Sequence, residues 1–429
     1  MRPEDTARLN AFAVGRRIEA AGLRQWWIAE QIGVDRKTVA RWLSGKTRRI
    51  ARENLERLAR ILDASPSDLV VSDEADIAAT REEQRTAADL AAEQDLLQLL
   101  SPTDSFKLAE SLIRATLAPN LPLQQLGRLY NMLATAAWRQ GHYEDGRARA
   151  ERALEIGKQV RDRAISLRAL HSLAVIESLT GRVDRAVDTF RVCASEPEAF
   201  DTPRAHAGAL SNLAMLYGSL EQFEDSIATQ LEAIAIFESL GASYNLSIAF
   251  TGLGAVYTEI GRLCHARDAF ERGRDAAAQC GYTRGVDCAE IYLADVASLS
   301  GARIDALERV SFALPSLSRY AVYDLGCHEC AARVMRRAAH LDEAGAELAR
   351  GIAQAHGFPE IRGRMLQEQA RLAQARADAR AARASLEAAG RAFREAGLSV
   401  RERSGPLAEY GSQSECGQPS ECGYASESG

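Results

Sequence analysis

Three cations, Arg36, Lys37 and Arg41, share one side of a short helix-forming stretch with the small residues Ala40 and Ser44, and no acid falls among them. Arginine and lysine reach guanine acceptors in a major groove, and small neighbours let the helix backbone approach. Val39, Trp42 and Leu43 stand at i, i+3 and i+4 on the other side, the spacing of a buried stripe. Lys46, Arg48 and Arg49 follow in a loop, where basic side chains contact phosphates and make binding salt-dependent. The chemistry expected here is recognition of double-stranded DNA.

Two short helices must position these groups. The first is predicted over Gln25 to Ile32, with Ala29 as the small residue where helices cross. Gly33-Val34 makes the turn. Asp35 is a good N-cap for a second helix running Arg36 to Ser44, and Gly45 stops it. At Gln25, Ala29, Gly33-Val34, Thr38-Val39, Arg41-Trp42 and Gly45-Lys46 the stretch resembles the XRE, or lambda-repressor-like, helix-turn-helix family. The run Glu53 to Leu62, with Asp63-Ala64-Ser65 and Asp68-Leu69, resembles that family's closing helices. The likeness covers about residues 8 to 71. It implies that Gln25 clamps a phosphate, that Arg36, Lys37 and Arg41 read bases, and that Thr38 does one or the other. Leu43 departs from the pattern where an acid is common, and Trp26-Trp27 where polar residues are usual. Residues 5 to 21 read as the preceding helix, with Phe12, Val14 and Ile18 as core candidates.

From about residue 127 the chain repeats. Turn positions 141, 181, 221, 261 and 301 are each 40 residues apart. A further copy turns at Ala339-His340-Leu341, and a degenerate one fills residues 360 to 397. Leu-Ala or Leu-Gly pairs at 133–134, 173–174, 213–214, 253–254 and 293–294 precede each turn, and small residues recur five and twelve positions after it. Small residues allow two helices of one hairpin to cross closely, while Phe190 and Phe270 fill the space to the next hairpin. One hairpin cannot bury its face alone, so the array stacks into a superhelix.

The repeats, best seen in FTGLGAVYTEIGRLCHARDAFERG, resemble tetratricopeptide repeats, at 40 rather than 34 residues each. Repeat length and the order of head and array are similar to the peptide-pheromone receptors of the Rap, Rgg, NprR and PlcR type. By repeat register, the first helix of each hairpin lines the inner groove with Arg128, Asn131, Thr135, Arg139, Arg168 and His171. Further along come Ser211, Asn212, Thr251, Tyr292, Asp295, Arg333 and Arg336. Asparagine grips a peptide backbone through both donor and acceptor, and arginine clamps a carboxylate. A peptide or protein segment with an acidic end suits that lining.

The 429 residues carry a net charge of −6, unevenly spread. Residues 1–72 hold 14 Lys/Arg against 9 Asp/Glu, and the remainder 39 against 50. A basic head on an acidic body fits one phosphate-binding end. No run of 18 apolar residues predicts a membrane span, and the N-terminus lacks a signal core, so a cytoplasmic protein is expected. The eight cysteines are scattered, and Cys327-His328-Glu329-Cys330, the only CxxC, lacks the second pair a metal site needs. No phosphate loop, nucleophile elbow, HExxH or histidine cluster occurs. No catalytic residues, metal or cofactor are therefore expected.

The expected fold is all-α: a helix-turn-helix domain over 1–72, a linker helix in 73–101, a tetratricopeptide-like α-solenoid over 102–400 and a disordered tail over 401–429. The linker helix either pairs with its copy in a homodimer or docks on the following domain. The expected function is that of a transcription regulator whose head binds DNA and whose repeats dimerise and sense a peptide or protein. The alternative is a scaffold for protein complexes whose head binds no specific DNA.

Overall fold

A computed structural model describes residues 6–44, 46, 47, 49–70, 86, 97, 100–117, 121–317, 325–399 and 401. The chain divides into two compact units, Met1–Ala87 and Ala88–Gly429.

The first unit runs β1 (Thr6–Arg8), α1 (Ala11–Ala20), α2 (Gln25–Ile32), α3 (Arg36–Leu43), β2 (Arg49–Ala51) and α4 (Arg52–Ile61), then a 3-10 turn at Pro66–Leu69. Helix was expected from residue 5, but residues 6–8 form a strand. β1 pairs antiparallel with β2, Thr6 opposite Ala51 and Arg8 opposite Arg49. Three-residue strands show no period in a sequence; their pairing is a long-range event. Val14, Ile18, Ile28, Ile32, Trp42 and Leu58 are buried in one core. The side chain of Phe12 lies outside the described residues. Burying an aromatic such as Trp42 contributes roughly 3 kcal/mol, which ties α3 firmly to the unit. Trp27 packs partly on this core, while Trp26 is exposed.

The second unit opens with α5 (Phe106–Thr116) and continues as hairpins. These are α6 (Leu123–Arg139) with α7 (Tyr143–Val160), and α8 (Arg163–Leu179) with α9 (Val183–Ala194). Next come α10 (Pro203–Ser219) with α11 (Phe223–Ser239), and α12 (Ser243–Glu259) with α13 (Leu263–Gln279). Then follow α14 (Thr283–Leu299) with α15 (Arg303–Leu317), α16 (Leu325–Arg337) with α17 (Leu341–Gln354), and α18 (Pro359–Ala375) with α19 (Ala379–Glu395). The 40-residue register rests on backbone conformation. Gly141, Gly181, Gly261 and Gly301 turn with φ of 80°, 84°, 76° and 93°, and Glu221 takes the same left-handed state at φ 60°. The small-large code also has a direct cause. A Cβ on Gly254 of α12 would stand 2.7 Å from the ring of Phe270 on α13. That ring in turn stacks on Tyr292 of α14, centroids 5.1 Å apart.

The array closes on itself. Phe393 and Leu398 share a core with Trp138, Ile176, Val183 and Leu213. A Cβ on Gly181 would stand 2.4 Å from the carbonyl oxygen of Glu395. Arg401, expected to begin the tail, is buried instead. Its Nε donates to the Ser219 carbonyl at 2.8 Å, and its Nη2 donates to the Gly218 carbonyl and the Glu259 carboxylate, each at 2.9 Å. The free carbonyls at the end of α10 attract a cation, which is why the packed chain extends to this residue. Residues 402–429 lie outside the described residues.

Most of the expected linker helix also lies outside them. At its end, Leu97 is helical and buried against Phe106, Ile113 and Leu129. Among the described residues, Cys193, Cys280, Cys288, Cys327 and Cys330 form no disulfide, and no group of three side chains is placed to hold a metal ion. No helix among them is long and apolar enough to cross a membrane.

Candidate functional site

In the first unit the outer face of α3 is built from the turn outward. Gly33 takes φ 82° and its N–H returns to the Ala29 carbonyl, ending α2. Arg57 of α4 donates to the neighbouring Ile32 carbonyl at 2.8 Å, fixing the turn against the rest of the unit. Asp35 caps α3 by accepting from the Thr38 N–H at 2.9 Å and from the Thr38 hydroxyl at 2.7 Å. The Thr38 hydroxyl bond and then its N–H hold the Asp35 carboxyl below its usual range. The Thr38 hydroxyl proton is thus committed to the cap, and only its oxygen lone pairs remain as acceptors.

Arg36, Lys37 and Arg41 are exposed and make no ion pair with the described residues, while Val39 and Trp42 are buried behind them. Gln25 is exposed at the start of α2, beside Arg36 in a shared concavity. Lys46 is exposed. Arg49 belongs to β2 rather than to a loop, and its guanidinium donates to the Thr6 hydroxyl at 3.3 Å. Arg48 lies outside the described residues.

The comparisons agree with this geometry. The model of the Cro/C1-type HTH DNA-binding domain matches residues 8–74. The first unit is a Cro/C1-type helix-turn-helix DNA-binding domain. In the second unit, the tetratricopeptide repeat model matches residues 125–194 and 206–279, and these hairpins are tetratricopeptide repeats. No curated protein matches the chain.

Among solved structures, a Rap protein complexed with competence and sporulation factor is 12% identical, with 74% of this chain and 95% of that one covered and a TM-score of 0.54. Bacillus thuringiensis PlcR, solved with a peptide and DNA, is 15% identical over 64% of this chain and 96% of that one, at a TM-score of 0.39. Aspartyl phosphate phosphatase F from Bacillus subtilis is 17% identical over 81% and 94%, at 0.49. The Rap likeness shows a shared repeat fold.

Within the tetratricopeptide unit, Arg128, Asn131, Arg139, Arg168, His171 and Asn212 come together. They line a chamber of about 210 Å³ between the first helices α6, α8, α10 and α12. Thr135 and Ser211 join them. Asn131 donates to the Ile165 carbonyl at 2.9 Å, which leaves its Oδ1 without a partner. Arg168 is held by Asp201 at 2.8 Å and reaches the Thr202 hydroxyl at 3.3 Å. The Arg139 guanidinium lies 4.5 Å from the Trp138 ring centroid and 5.5 Å from that of Phe106, within cation–π range. His171 accepts from Asn212 at 2.9 Å through Nε2, taking the orientation in which the amide donates. Burial, then the charges of Arg168 and more weakly Arg139, lowers the imidazole to about 4, so it is neutral near pH 7.

Tyr292, Asp295 and Arg333, expected to line the same groove further along, do not line this chamber. Asp295 accepts from Arg333 at 2.8 Å and from Arg337 at 2.7 Å. Arg333 also pairs with Glu329, Glu329 with Arg364, and Arg364 with Glu259. Arg336 and Arg371 share Glu368. Burial pushes Glu329 up, but Arg364 and Arg333 outweigh it and hold the carboxyl below its usual range. These charges knit α12, α14, α16 and α18 together rather than facing a ligand. Tyr292 is committed to its stack on Phe270.

The repeat register missed Arg204, Tyr244 and the loop residues Phe200 and Asp201, all of which line the chamber. A signal for the loop existed. α9 is 12 residues long where α11 and α13 have 17, and Pro197 and Pro203 bracket an irregular segment with a 3-10 turn. That interruption carries Phe200 and Asp201 into the groove.

Proposed function

We propose that this protein is a cytoplasmic transcription regulator that binds double-stranded DNA as a homodimer and senses a peptide or protein partner through its repeat unit. The observation that carries the DNA half is the outer face of α3, where Arg36, Lys37 and Arg41 are exposed and uncompensated behind a rigid core. Gln25, at the start of α2, supplies a phosphate donor, and Lys46 another. The sensing half rests on the chamber, whose inward polar groups are incompletely satisfied. A Rap protein of the same repeat fold was solved with competence and sporulation factor. A ligand favours one shape of the array only to the extent that it binds that shape more tightly.

Binding of the full-length chain to a genomic DNA library, measured between about 50 and 300 mM salt, tests the first half, because each released counterion steepens the salt slope. The expected result is a steep loss with salt and loss of selected sequences in the R36A/K37A/R41A triple variant. A library profile unchanged by the triple variant overturns the regulator reading in favour of a scaffold. Sedimentation of the wild-type chain with and without an operator fragment tests the dimer.

A further inference from the structure

The reading above leaves the chemistry of the ligand open, and this inference rests on its sensing half. We infer that the chamber between α6, α8, α10 and α12 is a carboxylate site, in which arginines fix the anion and the aromatic walls hold the body attached to it.

The charge balance comes first. Arg128, Arg139, Arg168 and Arg204 line the chamber against a single acid, Asp201, and Asp201 is already bound to Arg168. Arg128 is exposed at the rim with no ion-pair partner among the described residues. Arg204 is half-buried, and its Nε has no acceptor. In the far part of the same array, by contrast, Arg333, Arg336, Arg337, Arg364, Arg371 and Arg401 each reach a carboxylate. Guanidinium charge that no carboxylate among the described residues pairs with is therefore present at the chamber, on Arg128 and Arg204.

The second observation is independent of charge. Asn131, Trp138 and Tyr244 are each more than nine-tenths buried, line the chamber, and leave Oδ1, Nε1 and the hydroxyl without a partner. Buried polar groups are almost always satisfied, so three orphans in one cavity point to an absent ligand or to water that it displaces. Two of the three offer a donor, and Arg204 adds a third, which suits an acceptor-rich group. Guanidinium forks match a planar carboxylate through paired N–H bonds. Phe200, Phe237 and the ring of Tyr244 supply apolar wall for the rest of the ligand. The neutral state of His171 fits the same field: a second proton there would add to an already cationic lining.

A carboxylate can come from the free C-terminus of a peptide or from a small organic acid, and two probe pairs separate them. The full-length chain is titrated with a random heptapeptide pool bearing free C-termini and with the same pool amidated. It is also titrated with phenylacetate and with phenylacetamide. Binding is read by calorimetry and by the shift in thermal midpoint. The expected result is that one or both acids bind at least tenfold more tightly than the matching amide, and that R204M and the rim variant R128M each weaken the acid but not the amide. R383M, an exposed arginine outside the chamber, should change nothing. Circular dichroism checks that R204M folds, and R128M keeps the test valid if it does not. A peptide-only response names a chain terminus as the source, and a phenylacetate-only response names a small acid. Equal binding of acid and amide, or no binding by any probe, overturns the carboxylate site. The salt-dependent DNA measurement is run on the same samples. Its failure alone sinks the regulator reading, while failure of the probes with DNA binding intact sinks only the carboxylate site.

Discussion

The near and far parts of the groove are built from the same repeat and do opposite things. In the near part, around α6 to α12, first helices present arginines, amides and a neutral histidine to a chamber. In the far part, around α14 to α18, the same positions carry Asp295, Glu329, Arg333 and Arg364, which bind one another. The difference lies in whether acids alternate with arginines. Where they do, charges are consumed between neighbouring helices and the array is locked. Where arginines stand against one acid, the field is left for something else.

The largest effect is expected from opening the far part. Asp295 is buried and holds two guanidiniums, so D295N removes the carboxylate that Arg333 and Arg337 share. Breaking one partner of a buried pair costs about 4 kcal/mol, to be read by urea unfolding of the full chain. A loss under about 1 kcal/mol would mean that the far network is as dispensable as surface ion pairs.

Acid should distinguish the near part. The folded chain keeps His171 neutral down to about pH 4, whereas the unfolded chain takes up its proton below about 6.5. The unfolded state binds more protons between those values, so stability is full above pH 6.5 and falls as pH drops toward 4. The share due to His171 is about 3 kcal/mol, from about 1.4 kcal/mol per pH unit over that window. Comparing wild type with H171Q across the window isolates it, and parallel curves would show that the imidazole titrates normally.

The join between the two ends comes next. Gly181 is left-handed at φ 84° and abuts the Glu395 carbonyl, so G181A meets both backbone strain and a clash. A loss of about 2–3 kcal/mol is expected, with faster hydrogen exchange in α19 as the local signature. Unchanged exchange there would separate the closure from Gly181. R401A should have the smallest effect, about 2 kcal/mol for charged hydrogen bonds lost at the ends of α10 and α12. Small-angle scattering should show expansion of the R401A chain if this residue helps hold the ring shut, and an unchanged profile would assign closure to Phe393 and Leu398 alone.

Much of this was legible in the residues. The cationic face of α3 follows from a 3.6-residue period and an N-cap, both local. The 40-residue register follows because each turn needs a left-handed residue and each hairpin needs small residues at its crossing. The chamber was half legible: the register put Arg128, Asn131 and His171 on one inner surface, and they line the chamber, but it treated all first helices alike. It could not show that Asp295 and Arg333 would spend their charges on each other, because they come from different hairpins. Nor did it find Tyr244, which reads as an ordinary core tyrosine, or the β1–β2 pair, whose three-residue strands meet across 40 residues of chain.

Local periodicity and turn chemistry thus determined, from sequence alone, that the chain has a helix-turn-helix head and a repeat array behind it. Tertiary structure decided which part of the array stays open. A repeat unit contacts its neighbours by rule, but the meeting of Gly181 with Glu395, and of Arg401 with α10 and α12, depends on curvature summed over every hairpin between them. Small rotations at each step accumulate, and no single window of sequence contains their sum.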